Sequence, residues 1–358
     1  MKFKMMSLAA MAACVAFTSC TNDDEPANNG QSVALQQVNV GINHMSSRAG
    51  ITATSFAGNE SIGVFLFGGD GIDDAVNGRY NVGDNANIVE PLNVKYTRGG
   101  DVGNAENPEW WTSQNPIILS SKSGKLYAYY PYAEGQANND GKVIPVNVAA
   151  SQGTGISEGT ADDVQPDYMY GSVVNNVSNA TEHVDIQMNH ALAMVTFKFV
   201  RNTYPGDGNI TRIELRNKVD GTYVKNGAAT MHIGTGAITG GTAGSVYCLP
   251  NTILTDLTAS NAVPHMLVYP NDAIMAADDV ILSITMDGKT YEIALPNTLS
   301  DTSDTYAWTK GNNYVYTLNM NGYGFGADDE DGKDDIDVTI APWIEKTASA
   351  GDLNKPIN

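Results

Sequence analysis

Cysteine, basic charge and long apolar runs are all scarce in this chain of 358 residues. Its three cysteines are Cys14, Cys20 and Cys248. The first two sit in or directly behind an N-terminal apolar run, so Cys248 is alone in the remainder and no disulfide framework can form. Lysine and arginine number 20 against 40 acidic residues, a net charge of −20. A surface of that sign repels nucleic acid and anionic membranes, which excludes both as partners. The one long apolar run, residues 5–17, has thirteen residues and is too short to span a bilayer. Elsewhere no stretch sustains a helical period over three turns, although residues 308–312 have room for a single turn.

Catalytic constellations are missing too. His44, His183, His190, His232 and His265 are scattered without metal-ligand spacing. His190, in the segment MNHALA, reads as a packed structural residue, and Cys248 as a buried apolar thiol. Gly234-Thr235-Gly236 has no helix after it and reads as a turn, not a phosphate cradle. The acidic run around Asp331-Gly332 fails as a calcium loop. With Gly332 at the sixth position, Ala327 and Val338 fall at the first and twelfth, where carboxylates are required. Trp110 and Trp111 could stack on sugars, but ahead of a core strand they read as packing. No catalytic, cofactor-binding or metal residue is assigned, and the chain is not read as an enzyme.

What the chain does have begins with a leader. Lys2 and Lys4 precede the apolar run, and Phe17-Thr18-Ser19-Cys20 closes it with small residues before a cysteine, the pattern of a lipobox. Residues 1–19 are then a lipoprotein signal peptide and Cys20 the residue that takes acyl chains; the alternative is an ordinary secretory peptide with an incidental cysteine. Loss of Lys2 and Lys4 with the nineteen-residue leader takes the net charge from −20 to −22. What remains is long enough for two domains with proper cores. Its 36 glycines, 17 tyrosines and low share of charged residues favour β structure with many turns.

Alternation and turn residues place strands near residues 61–67, 94–96, 117–119, 125–132, 143–148 and 184–188. Further strands are expected near 210–215, 228–233, 245–249, 265–269, 280–286, 291–295 and 314–320, with Asp287-Gly288 as a hairpin turn. MNHALAMVTF begins like a helix turn and passes into strict alternation. The reading is all-β, with one antiparallel domain over 49–185 and a second over 186–320. Residues 321–358 follow as an acidic linker, seven acidic residues against Lys333 between 328 and 337, and a last alternating strand.

Two stretches stand apart. In residues 31–50 Val33, Leu35, Val38, Val40 and Ile42 alternate with smaller or polar residues, and Arg48-Ala49 follows in the small-residue context MSSRAG. Residues 20–48 thus read as a propeptide carrying a removable first strand, cut after Arg48, which a trypsin-like protease would find easily. At the other end Ile336, Val338 and Ile340 alternate with Asp337 and Thr339, with Trp343 close behind. An apolar strand beyond an acidic linker is what a donor strand would look like.

The segments KLYAYYPY, HALAMVTF, Asp167-Tyr168-Met169-Tyr170 and IDVTIAPW, taken in order from the lipobox to Trp343, resemble the fimbrillin family, the subunits of type V pili. Asn22-Asp23-Asp24-Glu25 likewise resembles the surface-export signal of lipoproteins from anaerobic Gram-negative bacteria. The resemblance implies two tandem transthyretin-like antiparallel β-sandwich domains with a C-terminal donor-strand extension. It implies an outer-membrane lipoprotein precursor held only through the lipid on Cys20, proteolytic loss of residues 32–42, and a mature N-terminus at Ala49. A neighbouring subunit then donates Ile336, Val338, Ile340 and Trp343, and the head-to-tail contact gives a cell-surface fimbrium used in adhesion. Many stalk subunits continue past the tryptophan with an apolar stretch, whereas residues 346–358 here are mostly polar. The alternative is a tip, anchor or accessory lipoprotein whose loops bind a glycan or a host or bacterial surface protein.

Overall fold

A computed structural model describes residues 32–42, 56, 60–69, 71–72, 80–81, 88–89, 93–99, 110–135, 142–155, 165–181, 183–201, 204–253, 264–321, 324–325 and 336–342. Among these, every regular element is a strand. The first half holds β1 (Val33–Ala34), β2 (Gln37–Ile42), β3 (Ser61–Gly68), β4 (Tyr80–Asn81), β5 (Ile88–Val89), β6 (Val94–Arg98), β7 (Trp110–Thr112), β8 (Ile118–Leu119), β9 (Gly124–Tyr130), β10 (Val143–Val148), β11 (Met169–Gly171), β12 (Val174–Val177) and β13 (Asp185–His190). Eight of them form one sheet: β11-β13-β2-β7-β6-β3-β9 close into a ring because β9 pairs back to β11, and β12 also pairs with β9. Closure leaves no unpaired edge within that ring. Val38, Ile62, Val64, Tyr96, Trp111 and Ile186 belong to its buried core.

The near-continuous apolar run in β3 follows from this placement. Ile62, Val64 and Leu66 fill the first core, while Phe65 and Phe67 belong to a second one, so both faces of the strand are covered. Leu126 and Ala128 of β9 likewise belong to the first core and Tyr127 and Tyr129 to the second. Gly63 pairs with Tyr129, and a Cβ on it would come within 2.1 Å of the tyrosine ring.

The second half holds β14 (Ala193–Arg201), β15 (Asn209–Asn217), β16 (Lys225–His232), β17 (Ile238–Ala243), β18 (Ser245–Cys248), β19 (Thr252–Ile253), β20 (His265–Val268), β21 (Val280–Met286), β22 (Lys289–Ala294), β23 (Asn312–Asn321), β24 (Gly324–Phe325) and β25 (Ile336–Pro342). One sheet runs β20-β14-β23-β24, with β25 also on β23. A second runs β18-β15-β21-β22, with β19 on β15. Phe197, Tyr316, Ile213 and Ile284 from the two sheets share one buried core. Asp287 and Gly288 both take positive φ, 50° and 72°, as the two-residue turn between β21 and β22 requires.

Four expectations need correction. The segment MNHALA forms no helix turn, because Met188 to His190 complete β13 and pair with β11. At 308–312, Lys310 and Gly311 make a turn and Asn312 opens β23. A division between residues 185 and 186 falls inside β13, which belongs whole to the first sheet, while β10 pairs with β16 of the second half. The pairing is also not all antiparallel: β2 runs parallel to β13, and β14 parallel to β23. β2 thus lies beside β13, the last strand of the first half, and β14, the first strand of the second half, lies beside β23. The neighbours repeat as well, since β7-β2-β13-β11 and β20-β14-β23-β25 share one sequence of antiparallel, parallel and antiparallel contacts.

Replacing Gly63 by alanine forces the Tyr129 ring aside, and Tyr129 Oη is held by Asn93 and by the Ala133 carbonyl. The expected cost is about 1 to 3 kcal/mol of stability, read as a lower urea midpoint with unchanged slope.

Candidate functional site

The feature that invites a function is the slot occupied by β2. On one side Asp185 to Met188 of β13 pair in parallel with Asn39 to Ile42, and on the other Trp110 to Thr112 of β7 pair antiparallel with Gln37 to Asn39. β2, preceded among the described strands only by the two-residue β1, is therefore an interior strand of a closed sheet, held from both sides.

Its side chains divide by face. Val38 is fully buried, Leu35 and Ile42 are buried, and Val40 packs partly buried against the same core. Val33 is the correction: it is 42 % exposed. It lies in the separate pair β1–β8, where the chain has not yet reached the closed sheet. The irregular step between Ala34 and Gln37 breaks the alternation, so that Leu35 points inward in its place. On the other face, Asn39 Nδ2 donates to Asp185 Oδ1 at 3.0 Å. Gly41 lies against Gln187, whose amide oxygen would be 2.9 Å from an added Cβ.

One tyrosine joins the first strand to the wall of the slot. Tyr96 Oη donates to the Leu35 carbonyl at 2.7 Å and accepts from the Ile117 N–H at 3.3 Å. Leu35 N–H in turn donates to the Ile117 carbonyl at 2.8 Å. Burial pushes the Tyr96 hydroxyl up to about 12, partly offset by the Ile117 hydrogen bond, so it stays a neutral donor at ordinary pH. Sequence reading missed Tyr96. The signal was present in Val94 and Tyr96, which alternate with Lys95 and Thr97 along β6 and place the ring on the buried face.

The C-terminal strand takes a different kind of position. β25 pairs antiparallel with β23 of its own chain, from Ile336 opposite Leu318 to Pro342 opposite Asn312. Among the described residues β23 is its one partner. Ile340 is 42 % exposed. β2 is thus enclosed and β25 sits at an edge. Cys20, Arg48, Ala49 and Trp343 lie outside the described residues.

The remaining candidates resolve into packing. His190 is buried, with Nδ1 2.7 Å from Asp167 Oδ2. Trp111 is buried and meets the Phe56 ring edge-on at 5.0 Å. Cys248 is buried, and burial pushes its thiol up to about 12, which leaves it protonated and unreactive. Among the described residues no group of three or more His, Cys, Asp or Glu is placed to hold a metal ion.

The geometry defines an all-β protein with a closed N-terminal sheet built around its own first strand. The family model described as fimbrillin-like matches residues 47–343, and the chain belongs to that family. No curated protein matches it. Among solved structures it is similar to a putative cell adhesion protein from Bacteroides ovatus, with TM-score 0.60 and 15 % identity over 88 % of this chain and 100 % of that one. It is also similar to one from Bacteroides uniformis, with TM-score 0.54 and 18 % identity over 86 % and 98 %. At these identities the likeness shows the fold.

Tyr96→Phe leaves the Leu35 carbonyl and the Ile117 N–H without their shared partner. The expected loss is about 1 to 3 kcal/mol, seen as earlier release of the first strand in native-state hydrogen exchange. The parent protein should also loosen here in alkali. A hydroxyl raised above its unfolded value contributes fully below pH 10, and its stabilisation fades as pH climbs from 10 toward about 12. The phenylalanine variant should lose that alkaline slope.

Proposed function

We propose that the protein is a polymerising fimbrial shaft subunit, and that its function depends on exchanging β2 for the C-terminal strand of a second copy. The observation carrying this reading is the position of β2. Among the described strands only the two-residue β1 precedes this interior strand, so a single cut beyond it would let both leave. Arg48 in MSSRAG is the proposed cut, with Ala49 the new N-terminus and Cys20 the lipid anchor of the outer-membrane precursor.

The energetics favour replacement over an open slot. Leu35, Val38 and Ile42 are buried and Val40 partly so. At about 1.5 to 3 kcal/mol for each fully buried side chain, their loss is on the order of 8 kcal/mol before the hydrogen bonds to β7 and β13 are counted. A domain stable by about 5 to 15 kcal/mol does not leave such a slot empty when a matching strand is within reach. Residues 336–340 read Ile-Asp-Val-Thr-Ile, and residues 38–42 read Val-Asn-Val-Gly-Ile. Both place three β-branched residues at alternate positions. In the monomer β25 rests on one edge and gives up one neighbour when it leaves, whereas in the slot it gains two. Because donor and acceptor are different surfaces of the same chain, the contact propagates into a filament. The intact first strand blocks assembly during export, and the cut makes it irreversible.

The test is limited digestion of the purified precursor with an arginine-specific protease, with the new N-terminus read by mass spectrometry. The expected outcome is a clean start at Ala49, followed by ladders that survive mild heating in detergent. Changing Ile336, Val338 and Ile340 together to Asp should abolish the ladders while leaving the cut intact. A clean cut without ladders in the parent protein would instead make this a tip or accessory subunit.

A further inference from the structure

From strand direction and side-chain spacing we infer that the incoming strand enters the slot running the same way as β2, in the register that puts Ile336 at Val38, Val338 at Val40 and Ile340 at Ile42. This deepens the strand-exchange reading and rests on it.

Direction follows from the connections. β13 ends at His190 and β14 begins at Ala193, so the C-terminal end of β13 abuts the second half. β2 runs parallel to β13, with Ile42 opposite Met188, so its own C-terminal end also faces the second half and Gln37 faces away. β23 runs parallel to β14, from Asn313 opposite Met194 to Met320 opposite Arg201, so its final residues lie at the end of the second half farther from β13. The linker to the donor strand starts there. In a head-to-tail filament it reaches the next subunit's slot from the open Gln37 end, and Ile336 goes in first.

Register follows from the side chains. Only one in-phase alignment fills all three inward positions with β-branched residues. A shift by two leaves a pocket empty at one end and an apolar side chain in solvent at the other. The chosen alignment fixes the outer face. Thr339 takes the place of Gly41 opposite Gln187, and Asp337 takes the place of Asn39 opposite Asp185. From β7 the facing residues are Trp110 and Thr112, which carry no charge. The amide–carboxylate hydrogen bond of the precursor, Asn39 to Asp185, is thus exchanged for two facing carboxylates. The two facing carboxylates repel, so the filament contact is weaker than it would be with an amide at position 337.

Paired cysteines test direction and register in the processed, assembled protein, with buried Cys248 left in place. Thr339→Cys with Gln187→Cys should give disulfide-linked ladders, and Asp337→Cys with Gln187→Cys should not. Linkage through the 337 pair would mean that the strand enters in the opposite direction or is shifted by two residues. Ladders that form without linkage through either pair would mean another register, and both results overturn the inference. Absence of ladders in the parent protein would instead sink the strand-exchange reading beneath it. For the charge pair, Asp337→Asn should raise the fraction of ladders surviving mild heating at pH 7.5 by about fivefold. Survival no higher in that variant than in the parent would overturn the placing of Asp337 opposite Asp185.

Discussion

The parallel pairing of β2 with β13 is the contact on which the first half of the molecule depends. It joins β2 to the last strand of the first sheet and, with β7 on the other side, completes a closed ring. A closed sheet has no exposed edge, so removing any one strand exposes two edges at once and opens the core between them. Most closed sheets are protected from this because every strand is tied into the chain at both ends. Here the strand next to β13 is β2, which only the short β1 precedes among the described strands, and the protection rests on whatever holds residues 32–42 in place.

Repetition of the same contacts in the second half clarifies the division of labour. β14 occupies in the second half the place that β2 holds in the first, but it is continuous with β13 and cannot leave. β25 lies on β23 as β11 lies on β13, yet it is an edge strand with one neighbour and follows a long acidic connection. The two halves thus offer opposite things: an enclosed strand whose loss is costly, and a lightly held strand with a matching side-chain pattern. The packing between the halves also supplies rigidity, since Phe65, Phe67, Tyr127 and Tyr129 on the outer face of the first sheet share a core with Ile144, Val146 and Met231. A subunit that transmits load along a filament needs such a seam.

Much of this was legible in the sequence because alternation is a local signal. β3, β9, β10, β21 and the Asp287-Gly288 hairpin lie close to where side-chain period and turn residues put them. Pro145 marked β10 correctly as an edge strand. β17, with the sequence ITGGTA, escaped notice because it is largely exposed and carries little apolar pattern. What alternation cannot supply is partnership. Nothing local in Asp185 to His190 says that it pairs with residues nearly 150 positions earlier, and so the expected boundary cut through β13. Val33 shares its phase with Leu35 and not with Val38, Val40 and Ile42, and it lies outside the closed sheet in the pair β1–β8. Tyr96 matters through two backbone groups far away in sequence, which no spacing rule reaches.

Whether the slot truly empties and refills is the central claim, and amide hydrogen exchange at its walls reads it directly. Peptides covering residues 110–112 and 185–188 should be protected in the precursor, lose protection when the protein is cut and held dilute, and recover it in assembled ladders. Protection that stays unchanged through all three states would mean that β2 never leaves, and protection lost on cutting but not regained in ladders would mean that assembly uses another surface.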